Sequence, residues 1–319
     1  MTVLQRVIPD RFLAGLVLMV VAASLFPANV TVRPILDNVV TIAIMVLFFF
    51  HGLRLSRASV LAGFGHWRLH LAILGVTFLL YPLAALALAK LLAPLMVPEL
   101  WVGILFLACV PSTVQSSISL ISIARGNVAA GVAQAAASNM LGVVLTPITA
   151  GLLLSVQGHD LGLSGIGKIA SQLLLPFAVG HALRPLLLRW VEPYLKTVST
   201  IDRGTILLVV YSAFSAAAAA GIWGKLSVAS LAAMLLACAL LLSFGLTVTA
   251  LIGRRFDRED AEAIRYAGTL KSLATGLPMA KILLTAPQAG LVIVPLMLFH
   301  QMQLFVCGWL AGRATKKSD

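Results

Sequence analysis

The 319-residue sequence predicts an all-α polytopic membrane protein whose ten transmembrane helices form a five-plus-five inverted repeat. Three observations carry that expectation. Hydrophobic residues make up 60% of the chain and charged residues 11%, with a mean hydropathy of +1.02; soluble domains are roughly half apolar and about a quarter charged. Apolar stretches of about 20 residues, enough to cross ~30 Å of hydrocarbon, follow one another along nearly the whole length. The fourth and the ninth of these stretches are interrupted in midspan by polar and helix-breaking residues.

The first stretch, 12–28, follows Arg6 and Arg11 and has "AAS" before its end, so a cleavable signal peptide competes with a first span. The second, 35–53, holds Asp37 near one end and reaches Arg54 at the other. The third, 70–92, starts just after Arg68 and has Lys90 at its far end. The fourth, 101–124, is apolar to Val110 and then carries Pro111, Ser112, Thr113, Gln115, Ser116, Ser117 and Ser119. The fifth, 128–155, contains Ser138 and Asn139. The sixth and seventh, 167–188 and 202–222, flank a basic segment with Arg189 and Lys196. The eighth, 226–252, leads into "RRFDRED". That charged run reads as a solvated helix start. The ninth, 262–285, contains "GTLKSLATGLP", with Lys271 and then Gly276 and Pro278 as its interruption. The tenth, 289–312, places His300, Gln301 and Gln303 in an apolar setting.

With both termini on the cytoplasmic side, most of the 23 lysines and arginines fall in cytoplasmic segments. Arg33, Lys90, Lys168, Lys225 and Lys281 lie at outer ends. This is the positive-inside pattern of an uncleaved ten-span chain in a cell membrane, inner or plasma. The formal charge of +12 is thus a topology signal, and basic residues without interleaved aromatics give no reason to expect nucleic acid. Five spans per half invert the second half relative to the first. The single transporter domain, 1–319, therefore reads as two repeats, 1–157 and 158–319, whose fourth spans are both broken. Broken helices at corresponding positions of inverted repeats are where transporters bind their solutes.

The eleven acidic residues all lie in loops or at span ends, and no HExxH, GxSxG or P-loop occurs. No enzyme and no nucleotide-driven pump is expected. Cys109, Cys238 and Cys307 are too far apart for a metal motif and read as packing residues, so no cofactor is expected beyond Na+ or H+ as a coupling ion. Gln115, Ser116, Ser117, Ser138, Asn139 and Thr275 could supply oxygen ligands to sodium, yet no midspan carboxylate balances its charge. Asp37, the most embedded acid, is expected to cap a helix or pair with an interfacial base.

Lys271 is the key residue. A lysine near the bilayer centre costs about 3 kcal/mol on insertion scales. It could fill the place of a cation and donate to freed carbonyls, carry a proton, or face the charge of an anionic solute. It could also snorkel toward the interface, where Arg265 lies. The candidate solute contacts are Lys271, Ser272, Thr275, Ser116, Ser117, His300 and Gln303. The candidate cation ligands are Gln115, Ser116, Ser117, Ser138 and Asn139.

At these residues the sequence resembles the bile acid:sodium symporter superfamily, solute carrier family 10, over roughly residues 10–312. "PSTVQSS", followed by "ARGN" at 124–127, resembles the family's fourth-span crossover, with Ser116 and Ser117 on its Ser-Asn pair. "GNVAAGVAQAAASNMLGVVLTP" resembles the fifth span, and places Ser138 and Asn139 where family hydroxyls help to hold sodium. In the ninth span "YAGTLKS" puts Tyr266 at the position of the family's glutamate, Leu270 at its glutamine and Lys271 at its asparagine; a third-span glutamine falls on Thr77. "KSLATGLPMAKI" and "FHQMQ" resemble the SBF-like branch that includes solute carrier family 10 member 7. The resemblance implies a panel domain and a core domain with crossing broken helices. It does not imply sodium coupling. The function expected is secondary-active transport of a small organic, anionic solute by alternating access. The alternative is a non-transporting membrane regulator or partner subunit that retains the fold.

Overall fold

The computed structural model describes residues 11–54, 66–156, 167–168, 170–284 and 286–316, and among these every regular element is helical. In chain order they are α1 (Arg11–Leu25), α2 (Val32–Arg54), α3 (Trp67–Gly75), α4 (Tyr81–Leu92), α5 (Pro98–Cys109), α6 (Gln115–Ile123), α7 (Val128–Val156), α8 (Leu175–Val191), α9 (Leu195–Ala219), α10 (Val228–Gly253), α11 (Arg258–Thr269), α12 (Leu273–Leu283) and α13 (Ala286–Lys316). A π-helical turn, Val76–Leu80, joins α3 to α4, and a second, Ala170–Leu174, leads into α8.

Seven helical segments among the described residues are long and apolar enough to cross a membrane, from Val32–Arg54 to Ala289–Ala314. The remaining expected spans differ for local reasons. α1 has only 15 residues. The fourth and ninth stretches are each split into two short helices, so neither half alone reaches across ~30 Å at 1.5 Å per residue.

Four helices form a row: α1 packs on α9, α9 on α2, and α2 on α8. The α2–α8 contact is close because of two glycines. A Cβ on Gly52 would collide with the carbonyl of Phe177, and one on Gly180 would collide with the carbonyl of Phe49. Small residues let membrane helices approach backbone to backbone, where dispersion contacts drive association. Arg54 and Asp202 add an ion pair at 2.6 Å between α2 and α9. α9 also carries the row onto the remaining helices through α12 and α13. Asp37 of α2 finds the basic partner that its position called for, Lys281 of α12 at 2.8 Å, and also accepts from Ser212 Oγ of α9 at 2.8 Å.

The other helices pack around α13, which runs against α5, α10 and α12. Gly103 of α5 and Gly290 of α13 again sit where a Cβ would press on backbone carbonyls, of Val292 and Ala213 respectively. Cys109, Cys238 and Cys307 are free and buried, as packing residues should be. The charged run 254–260 starts a helix as expected, with Asp257 at the N-cap position and Glu259 and Asp260 in the first turn of α11, where acids suit the helix dipole.

Candidate functional site: two broken helices closed around Lys271

The fourth stretch breaks where its sequence demands. α5 ends at Cys109 because Pro111 has no N–H to continue the ladder and forces Val110 into an extended conformation, ψ 151°. Chain 110–114 is non-helical and α6 resumes at Gln115. The ninth stretch breaks at Leu270–Ser272, with Leu270 extended at ψ 138°. Gly276 and Pro278 are not part of this break. Both lie inside α12, which Ser272 caps by accepting from Thr275 N–H at 3.3 Å. Pro278 is the sixth of the eleven residues of that helix and leaves the carbonyl of Ala274 without its helical donor, and Gly276 is a packing residue: a Cβ there would come within 2.6 Å of Leu296 and 3.0 Å of Val110.

The two breaks touch. Ser272 N–H donates to the carbonyl of Pro111 at 2.8 Å. Buried backbone polar groups need partners, and every carbonyl from 108 to 113 has one. Cys109 accepts from Thr146 Oγ1 at 2.9 Å, Ser112 from Asn139 Nδ2 at 3.1 Å, and Thr113 from Ser117 Oγ at 2.6 Å. The carbonyls of Ala108 and Val110 accept from Lys271 Nζ, at 2.9 and 3.0 Å.

The third N–H of that ammonium goes to the carbonyl of Thr77, at 2.8 Å. That carbonyl is free for a reason written in the third stretch. In the π-helical turn the N–H of Tyr81 bonds five residues back, to Val76. The next residue, Pro82, has no N–H to offer Thr77. Tyr81 completes the enclosure: its ring centroid lies 4.3 Å from Lys271 Nζ, and its hydroxyl donates to the carbonyl of Thr269 at 2.9 Å. Lys271 is 0% exposed, so it does not snorkel. Its ammonium is saturated by three carbonyls and an aromatic face. Hydrogen bonds to a charged group contribute ~1.5–3 kcal/mol each, and a desolvated cation–π contact ~2 kcal/mol, which together offset the desolvation of the charge. The ammonium also sits at the carbonyl end of α5, the negative end of that helix dipole.

The peptide of Lys271 is held from α13. Gln303 Oε1 accepts from Lys271 N–H and Gln303 Nε2 donates to Lys271 C=O, both at 2.8 Å, while His300 Nδ1 lies 2.9 Å from the same Nε2.

The other expected site residues divide between sealed and open sides. Ser138 Oγ accepts from Ser112 N–H at 3.1 Å, and Ser117 Oγ lies 3.4 Å from Ser112 Oγ, so both act within the crossover. Asn139 spans Ser112 and Ala135 carbonyls. Ser116 is half-buried, Gln115 is exposed, and Val114 is 45% exposed. Ala274, in the first turn of α12, is exposed as well, and next to it Thr275 Oγ1 is buried without a hydrogen-bond partner among the described residues. The C-terminal side of the crossing is therefore closed by Lys271, and the N-terminal ends of α6 and α12 border accessible space. Tyr81 and Pro82 escaped the sequence reading. The Tyr-Pro pair at midspan of the third stretch was the available signal.

The model of the SBF-like CPA transporter family matches residues 10–316. Protein PA2026 of Pseudomonas aeruginosa is 45% identical over 317 residues, covering 98% of this chain and 95% of its own. YfeH of Escherichia coli K12, which its name proposes to be a symporter, is 43% identical over 312 residues, covering 97% and 94%. Mouse sodium/bile acid cotransporter 7 is 26% identical over 315 residues, covering 96% and 92%. A match that runs through both breaks and nearly end to end leaves one assignment: this chain is a multi-pass membrane protein that belongs to the SBF-like CPA transporter family.

Proposed function

We propose that the protein is a secondary-active transporter of a small organic anion, working by alternating access, in which the ammonium of Lys271 takes the place of a bound cation. The observation that carries this reading is the saturation of Lys271 Nζ by the carbonyls of Thr77, Ala108 and Val110. Three backbone oxygens converging on one point are about half of the oxygen shell that an inorganic cation takes, and here a side chain fills that point. Transport then requires no sodium. Ten spans in an inverted repeat, both termini cytoplasmic in the cell membrane, fit the charge distribution and the paired breaks.

The anionic group of the solute is assigned to the open side of the crossing, at the positive N-terminal ends of α6 and α12. Gln115, Ser116, Ser272 and Thr275 supply its contacts there, with Ser117, Ser138, Asn139, His300 and Gln303 holding the breaks in shape. The buried, unpartnered hydroxyl of Thr275 supports that placement. The symporter name of YfeH and the bile-acid cotransporter name of the mouse relative favour an organic anion moved across a membrane.

The test is flux. Purified protein is screened for thermal stabilisation by a panel of carboxylates, sulfonates and sulfates, and each stabilising compound is then followed into proteoliposomes in sodium and in choline media. Uptake independent of sodium is expected. Stabilisation with no flux would favour the regulator, and sodium-dependent uptake would overturn the internal-cation role.

A further inference from the structure

A cavity of about 480 Å³ lies between the start of α3 and the turn that joins α10 to α11. Its cationic wall is made by Arg68, Arg254 and Arg255, with His66 at the edge. All three arginines are exposed, and none of their side chains makes a hydrogen bond or ion pair to another described residue. The cavity has two acids, Asp257 and Asp260. Asp260 is already engaged, accepting from Asn127 Nδ2 at 2.8 Å and lying 3.9 Å from His66. Three arginines therefore line the cavity with one acid, Asp257, whose carboxylate has no partner among the described residues.

The depth of the cavity in the bilayer is set by the chain. One apolar span begins at Trp67, and another ends at Gly253, one residue before Arg254. The cavity thus opens where two spans leave the hydrocarbon, at the level of the lipid headgroups. Trp67 is 59% exposed, in keeping with an aromatic ring at that boundary. Phe256 contributes an apolar wall. Planar guanidinium forks are suited to phosphate oxygens, and basic recesses between membrane helices suit anionic headgroups.

We propose that this cavity is a binding site for a phosphate group, separate from the crossing, presented at the headgroup layer by an anionic phospholipid. The site is independent of whether the protein moves a solute.

Thermal unfolding of the full-length protein is measured in nanodiscs of phosphatidylcholine alone and with added phosphatidylglycerol, and in neutral detergent with inorganic phosphate or glycerol 3-phosphate. Phosphatidylglycerol is expected to raise the midpoint. Substitution of Arg68, Arg254 and Arg255 by Gln is expected to remove that rise, and to weaken lipid binding by roughly a hundredfold at about 1 kcal/mol per basic residue. The midpoint in phosphatidylcholine alone should be unchanged in this variant, since the three side chains are exposed. An Arg203→Gln/Arg313→Gln control, with charges removed elsewhere, should keep the full response. Stabilisation by the soluble phosphates that is equal to that by lipid, and lost in the same variant, would retain the phosphate site and overturn the lipid as its source. An equal response in the triple variant and the wild type would overturn the proposal.

Discussion

Gln303 grips the peptide of Lys271 at both ends, accepting its N–H and donating to its carbonyl at 2.8 Å each. One amide side chain thereby replaces the helical bonds that a residue loses when its helix is broken. The side chain of Lys271 does the same for another break, returning donors to Ala108 and Val110. The two interrupted helices are thus completed by each other and by α13, and cannot be understood singly.

Gln303→Leu should leave two buried backbone groups unpaired, at a cost of about 2 kcal/mol or more. The midpoint of thermal unfolding in detergent should fall, whereas the neighbouring Gln301→Leu, on a half-buried side chain, should have little effect. Equal midpoints for Gln303→Leu and wild type would refute the bracing role.

Lys271→Ala should vacate a point surrounded by carbonyl oxygens. The variant should be less stable than wild type and should acquire a stabilisation by sodium over choline that wild type lacks. Thermal unfolding in matched salts reads this directly. A variant as indifferent to sodium as the wild type would mean that the carbonyls do not form a cation site.

Pro82→Ala should restore an N–H to the third stretch and let the π-helical turn relax toward ordinary helix. The Thr77 carbonyl would then be drawn away from Lys271. Flux should fall by a larger factor than stability would suggest, because helix propensity itself improves by ~3 kcal/mol on removing an interior proline. Unchanged uptake would show that the turn is incidental.

Gly52→Val and Gly180→Val should each abolish stable folding, because the added atoms meet the carbonyls of Phe177 and Phe49 rather than a yielding side chain. Gly75→Ala is the control: nothing lies within 4 Å of a Cβ there, and helix propensity favours the change by ~1 kcal/mol. Yields of monodisperse protein after purification distinguish the two outcomes.

Asp37→Asn should loosen the tie between α2 and α12 while sparing the fold. The pair is partly exposed, with Asp37 at 33%, so less than about 1 kcal/mol of stability is at stake. The effect should appear instead in the rate of flux, and a charge-swapped Asp37→Lys/Lys281→Asp protein should restore it. Equal rates in all three proteins would remove the tie from the transport cycle.

The broad architecture could be read from the residues because membrane burial writes itself in composition. Pro111 and the hydroxyl run after it placed the first break correctly. The second break was displaced by Gly276 and Pro278, which look like interruptions but lie inside α12, the glycine serving its packing. Leu270, an ordinary apolar residue, is the one that leaves the helix. Lys271 drew attention by its cost, yet its partners stayed hidden, because backbone carbonyls carry no residue identity. Thr77 stood out for a side chain that it does not use toward the lysine, while Tyr81 and Pro82 were lost in an apolar run. The glycine contacts of α2 and α8 were equally silent, since a glycine does not reveal which carbonyl it accommodates.

An ammonium bonded into the polypeptide cannot dissociate into either compartment. On the proposed transport role, a carrier built around it would have no step whose rate depends on sodium outside, and no leak of sodium through a half-loaded state. If the ammonium keeps its proton through the cycle, the charge that crosses with each turnover would be that of the solute alone, so export or import of a monovalent anion would generate an electrical current of one charge per molecule. Membrane voltage, together with the solute's own concentration ratio, would then set the direction of travel.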